Sequence, residues 1–178
     1  MVGVAHLGCA MRLLIAWLVA WVGATGGAVA EEVRFEGVVT RITDGDTVWV
    51  RPDASNGQQA RRKPVKLRLV GLDAPERCQP HGSEAGAALA ARVQDRHVTV
   101  RRRATDMHGR ALGTLWLGDQ DVGAWLVAEG HAWSARYGRD PGPYAGQEQR
   151  ARAAGRGLFA APNPELPRDF RRRHGPCD

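Results

Sequence analysis

Apolar and polar positions begin to alternate at Val33 and continue to Ile42, the two-residue period of a strand with one buried face. Thr43-Asp44-Gly45-Asp46 supplies a turn, and Val48-Trp49-Val50 resumes a strand. Residues 52–64, rich in Pro, Asp, Asn, Gly, Gln and Arg, predict a polar loop. Val65, Leu67 and Leu69 then share one face of a third strand, which puts Arg68 on the other face. The period becomes helical over Ser83–Gln94, with Ala85, Ala88, Leu89 and Val93 on one stripe and Ser83 as the expected cap. Val98–Arg103 and Arg110–Leu117 read as two more strands around the turn-like Thr105-Asp106-Met107-His108-Gly109. A second helix starts near Asp121, carries Val122, Trp125 and Leu126 on its apolar stripe and stops at Gly130. A third runs from Pro143 to about Gly155, and the basic, proline-containing Asn163–Asp178 is expected as an extended tail. Five short strands and three helices predict an α+β chain with a mainly β core: a five-stranded, OB-type barrel under helical cover.

The segment ahead of Val33 has a different pattern. Arg12 precedes the uninterrupted apolar run Leu13–Val22, and Ala28-Val29-Ala30 fits a small-residue cleavage site before Glu31. Residues 1–30 are therefore expected to be a signal peptide, 31–162 the folded domain and 163–178 the tail. The run is short for a permanent membrane anchor, the alternative reading. Export to the periplasm or the medium gives the cysteines a meaning. Removing the signal takes Cys9 with it and leaves Cys78 and Cys177, an even pair in an oxidising compartment. A bridge between them would tie the basic tail back beside Glu76 and close a loop of about 100 residues, stabilising by up to about 4–5 kcal/mol in the chain-entropy model. Two unpaired thiols are the other possibility.

Charge adds a partner class. Twenty-five Lys+Arg against 19 Asp+Glu give a net charge of +6, and only Lys63 and Lys66 are lysines. Arginine presents a planar fork of donors suited to phosphate oxygens, although codon bias also enriches it. The excess is a modest pointer to an anionic partner.

The candidate chemistry lies between Asp44 and Glu76. Asp44-Gly45-Asp46-Thr47 opens this stretch and Asp73-Ala74-Pro75-Glu76 closes it, each at a strand end. Taken singly, each is as readily a turn, and Arg68 or Arg110 alone is a surface arginine in an ion pair. Together they form an inventory. Asp46 and Asp73 can supply carboxylates to Ca²⁺ and Ala74 a main-chain carbonyl, since that ion takes six to eight oxygen ligands. Arg68 and Arg110 can neutralise charge building on phosphorus while a spare carboxylate, Glu76, positions water. That combination suits phosphodiester hydrolysis.

These motifs, in this order, resemble the staphylococcal nuclease (thermonuclease) family, in its secreted bacterial branch. The resemblance is carried by Asp44-Gly45-Asp46-Thr47, Arg68 with Asp73-Ala74-Pro75-Glu76, Asp106 with Gly109-Arg110, Gly130-His131-Ala132-Trp133 and Ala151–Phe159, and it covers residues 33–162. It implies an OB-fold and a Ca²⁺-dependent, sugar-nonspecific endonuclease that cuts DNA and RNA and leaves 3′-phosphate ends. It assigns metal binding to Asp46, Asp73 and the carbonyl of Ala74, general-base or water-orienting action to Glu76, and phosphate contacts to Arg68 and Arg110. Ala74 replaces a threonine, a change that main-chain ligation tolerates. The family's Lys-Tyr pair before Gly-Arg is here Met107-His108, and two later tyrosines fall near Arg136 and Gly138, with Tyr137 between them. Base stacking contributes about 1–3 kcal/mol per aromatic, so short nucleotides should bind less tightly. His108, Tyr137, Arg101, Arg102, Arg103, Arg136 and the tail Arg171-Arg172-Arg173 are the candidates to compensate through nucleic-acid contacts.

The expectation is thus a monomeric enzyme acting on DNA and RNA, without stable membrane association once the signal is removed. A non-catalytic nucleic-acid-binding OB module is the competing class, but would not need Glu76, Arg68 and Arg110 together. An adhesion domain would leave Asp46, Asp73 and Glu76 unexplained.

Overall fold

The computed structural model describes Gly3 and residues 32–54 and 62–177. The expected signal peptide and most of the polar loop lie outside the described residues. Eight strands and four helices follow in order: β1 (Val33–Asp44), β2 (Thr47–Pro52), β3 (Val65–Leu69), β4 (Leu72–Asp73), α1 (Gly82–Val93), β5 (His97–Thr105), β6 (Ala111–Leu117), β7 (Gln120–Asp121), α2 (Val122–Ala128), β8 (Trp133–Ser134), α3 (Ala145–Ala153) and α4 (Pro167–His174).

The main sheet runs β3-β2-β1-β5-β6-β7, and a parallel pairing of β3 with β6 closes its first five strands into the expected barrel. β1 is long because it serves both sides: Val33–Val38 pairs with β5 and Gly37–Asp44 with β2. Its register shifts after Val39 and Ile42 bend it around the barrel. Alternation holds in β3 and the middle of β1, whereas Val33 at the start of β1 is exposed. Leu67 and Leu69 are buried with Val39, Val48, Val50, Val98, Val100 and Leu115, while Arg68 points away from that core.

α1 covers the barrel with Ala85, Leu89 and Val93. Its N-cap is His81, at φ 68°, rather than Ser83, whose hydroxyl bonds Glu84 instead. α2 begins as expected, with Asp121 accepting from Gly123 and Ala124 N–H. It ends at Gly130, where φ is 75° and His131 N–H returns to Leu126 C=O. Pro143 lies just ahead of α3, whose N-cap is Tyr144.

The chain end corrects the sequence reading. Residues 167–174 form a fourth helix in place of an extended tail. Pro167 occupies its first turn, where a missing N–H costs nothing. Phe170 and Pro167 are buried, and the preceding Leu166 packs on a second apolar cluster of Trp133, Ala151, Leu158 and Phe159. A helix of eight residues is marginal alone, so these tertiary contacts hold it. Among the described residues, no helix is long and apolar enough to cross a membrane.

Candidate active site

The β1–β2 turn, the end of β3 and the β4–α1 segment converge at one end of the barrel. Asp44 Oδ1 accepts from Asp46 N–H at 3.1 Å, which sets the turn, and Leu69 N–H bonds Asp46 C=O at 2.8 Å, which ties the turn to β3. Gly45 permits this closeness: a Cβ there would lie 2.8 Å from that of Ala74. Cross-strand pairing of Thr47 with Arg68 brings the guanidinium to the same spot. Nη1 of Arg68 bonds Asp46 Oδ1 at 2.9 Å, and Nη2 lies 3.5 Å from Asp73 Oδ1. Asp73 is fixed by its own short ladder, in which β4 pairs with β8 through Leu72–Ser134 and Asp73–Trp133. Arg68 therefore bridges the two aspartates expected to hold metal.

Electrostatics make this an anionic site under strain from burial. Asp46 is only 4% exposed. Burial pushes its pKa up to about 7 against the pull of Arg68, and the neighbouring Asp44 carboxylate raises it further. Burial also raises Asp73, opposed by the guanidiniums of Arg171 and Arg68, with Glu76 adding to the rise. Thr47 Oγ1 donates to Asp46 Oδ1 at 2.9 Å, a bond that favours the ionised form.

Glu76 sits on the loop leading into α1. Its N–H donates to Gln79 Oε1 at 3.0 Å, and its C=O accepts from Gln79 N–H at 2.9 Å. Gly82 lies so close that a Cβ would overlap the Glu76 carbonyl oxygen. The Glu76 carboxylate pairs with Arg171 of α4. Two residues on, Cys78 is joined to Cys177 across a separation of 99 residues, with Cα atoms 5.7 Å apart. The basic chain end is thus beside the site, where a bridge would put it.

The remaining sequence candidates divide. Arg110 is held by Asp106 on the β5–β6 turn, Nε to Oδ2 at 2.7 Å and N–H to Oδ1 at 2.9 Å, and among the described residues it makes no ion pair with Asp46, Asp73 or Glu76. His108 N–H shares the same Asp106 Oδ1, and its side chain is exposed. Arg136 lines a cleft of about 300 Å³ with Arg68, Asp73, Gly138, Leu166 and Arg168. Tyr137 is 90% exposed on the adjoining loop. Arg101 and Arg103 line a different groove with Trp116 and Tyr144; Arg101 stacks 4.4 Å over the Trp116 ring, and Arg103 pairs with Glu32. The structure does not bring these two to the carboxylates.

Several contributors escaped the sequence reading. Glu148, 2% exposed, accepts from Ser134 N–H at 2.9 Å, from Arg136 at 2.5 Å and from Arg152 at 2.7 Å. It orients Arg136 at the cleft. Gln79 locks the Glu76 loop and also donates to Glu165 C=O at 2.6 Å. Arg168 enters the cleft from α4. The pairing of Cys78 with Cys177 was the available signal for α4, whereas Glu148 carried none.

A hard cation fits this donor set. Asp46 and Asp73 offer oxygens only, and the buried Asp46 carboxylate is short of positive charge even with Arg68 beside it. Among the described residues, a tighter group of potential ligands, Glu36, Asp53 and His97, is exposed where β1 starts and β2 ends, far along both strands from Asp46. Its His97 and Asp53 already pair at 2.6 Å.

Comparison with known proteins identifies the family. Residues 66–161 match the family model described as staphylococcal nuclease homologue. The chain is 40% identical to the protein ParB of Escherichia coli, over 78% of this chain and 80% of that one. It is 34% identical to a micrococcal nuclease of Shigella flexneri, over 78% and 81%, and 32% identical to an uncharacterized endonuclease of Haemophilus influenzae, over 76% and 72%. With the family model matching more than half of the sequence and these relatives covered over most of their length, the chain belongs to the staphylococcal nuclease family and is a nuclease.

Proposed function

We propose that this nuclease is an exported, monomeric, Ca²⁺-dependent endonuclease that hydrolyses DNA and RNA and leaves 3′-phosphate ends. The observation that carries the reading is the Arg68 guanidinium bridging Asp46 and Asp73, with the Glu76 carboxylate near enough to act on Asp73. Asp46, Asp73 and the Ala74 carbonyl would hold Ca²⁺, which supplies charge neutralisation at the phosphate. Glu76 orients a water and takes its proton. The water oxygen bonds to phosphorus, the bond from phosphorus to the 5′-oxygen breaks, and the phosphate stays on the 3′ side. Arg68 stabilises the equatorial oxygens. Arg110, paired with Asp106 on the β5–β6 turn, would assist the leaving 5′-oxygen.

Export is supported by Arg12, the Leu13–Val22 run and Ala28-Val29-Ala30, and by a Cys78–Cys177 pair that suits an oxidising compartment. The central test incubates purified protein with plasmid DNA and with RNA, in Ca²⁺ or in chelator. Cleavage of both only with Ca²⁺, with products that need phosphatase before 3′ extension, is the expected result. Absence of Ca²⁺-dependent degradation would sink it. N-terminal sequencing of exported protein should begin at Glu31, intact mass should show the bridge, and sedimentation should give a monomer.

A further inference from the structure

α4 carries five basic side chains in eight residues, and the structure sorts them. Arg172 bonds Asp169 at 3.0 Å and Arg173 bonds Glu165 through Nε at 2.8 Å, so their charge is met within the segment. Arg171 reaches back 95 positions to Glu76, and Arg168 lines the cleft with Arg68, Asp73 and Arg136. Contacts of other kinds hold the helix there. Phe170 is buried, Gln79 clasps Glu165 C=O, and the helix runs out to Cys177 on Cys78. α4 is therefore not a dangling basic tail but a fixed face of the cleft.

The disposition of the two arginines points to an anion. Arg168 has a side chain 71% exposed and only a loose contact, 3.6 Å, with its own neighbour Asp169. Arg171 is 42% exposed, and its partner Glu76 is the carboxylate needed for water. A guanidinium in that position can leave the carboxylate for a phosphate oxygen pair of matching geometry. A polynucleotide crossing the cleft presents phosphates on both sides of the one being cut.

We propose that α4 forms a wall of the active-site cleft and that Arg168 and Arg171 bind the substrate phosphate flanking the scissile one, Arg171 releasing Glu76 as it does so. The proposal rests on the nuclease reading of the same cleft. It makes the two arginines determinants of polymer binding and gives the bridge at Cys177 a role in holding them.

The test measures steady-state cleavage of a single-stranded 12-mer across a salt series. For Arg168→Ala and Arg171→Ala, KM should rise about tenfold with kcat within twofold, and log KM should depend less steeply on log salt, by about 0.7 per lost contact. Arg171→Lys should recover part of the loss. Arg150→Ala, which removes a charge from the exposed face of α3, should change neither quantity. Unchanged KM in both cleft variants overturns the proposal, and so does a rise in kcat for Arg171→Ala, which would make α4 a cover over Glu76. Arg168 is largely solvent-exposed, so that variant reports without endangering the fold. Failure of the unaltered protein to cleave the 12-mer would overturn the nuclease reading instead.

Discussion

At the scale of single residues, the site divides between groups that act and groups that make action costly to the fold. Glu76 is accessible, clasped by Gln79 and paired with Arg171. Glu76→Gln keeps its size and hydrogen bonds but removes the base, so turnover should fall about 10²–10⁴-fold while anisotropy still detects DNA binding. Asp46 behaves oppositely. Its carboxylate is buried with a pKa pushed up to about 7, and in the absence of metal its ionisation opposes folding. Asp46→Asn should therefore raise stability in chelator at pH 8 by about 0.5–2 kcal/mol in urea denaturation, while abolishing cleavage. Unaltered protein should in turn gain stability with Ca²⁺, by about 2.7 kcal/mol at a hundredfold excess over Kd, and the variant should not.

Elements decide which of these residues could be read from sequence. Arg68 was legible because the period of β3 puts it opposite Leu67 and Leu69, and Asp46 because Asp-Gly-Asp ends a strand. Arg171 was legible only as part of a basic run. Its link to Glu76 spans 95 positions, and no local periodicity encodes such a distance. Glu148 sits on α3, whose stripe is mostly polar, and its burial depends on Arg136 and Arg152 arriving from two directions. α4 was misread for a related reason. Its composition is that of a solvated tail, and only Leu166, Phe170 and the cysteine pair convert it to a helix. Removing the bridge with Cys78→Ser and Cys177→Ser together should cost up to about 4–5 kcal/mol in equilibrium unfolding.

A second joint between elements is sensitive to pH. His81, at the α1 cap, stacks on His131, just after α2, with ring nitrogens 3.2 Å apart and Trp125 alongside. Burial, with His81 beside it, holds His131 below its ordinary value against the pull of Glu129. The unfolded chain therefore takes up this proton first as pH falls through about 6.5, and stability declines until the lower folded value is passed. Relative to His131→Gln, the urea midpoint of the unaltered protein should drop from pH 7 toward pH 5, a difference from which the opposite-running contribution of Asp46 cancels.

For the whole molecule, the arginines proposed to meet the substrate separate from those on another groove. Arg68, Arg136 and Arg168 line the cleft with Asp73 and Arg171 pairs with Glu76, whereas Arg101 and Arg103 border Trp116 elsewhere. Net charge alone could not separate these. The parallel pairing of β3 with β6 joins the two halves of the barrel, and it is the contact that sets the strand bearing Arg68 beside the strand that Arg110 precedes. Neighbouring strands elsewhere in the barrel pair antiparallel, and such a non-local, parallel closure is the slow kind in folding. A chain with β1, β2 and β3 paired but this seam open would hold Asp46 and Arg68 together and leave the strand that Arg110 precedes apart from them. During refolding, far-ultraviolet ellipticity should accordingly recover ahead of nuclease activity, and recovery of cutting would time the moment the seam shuts.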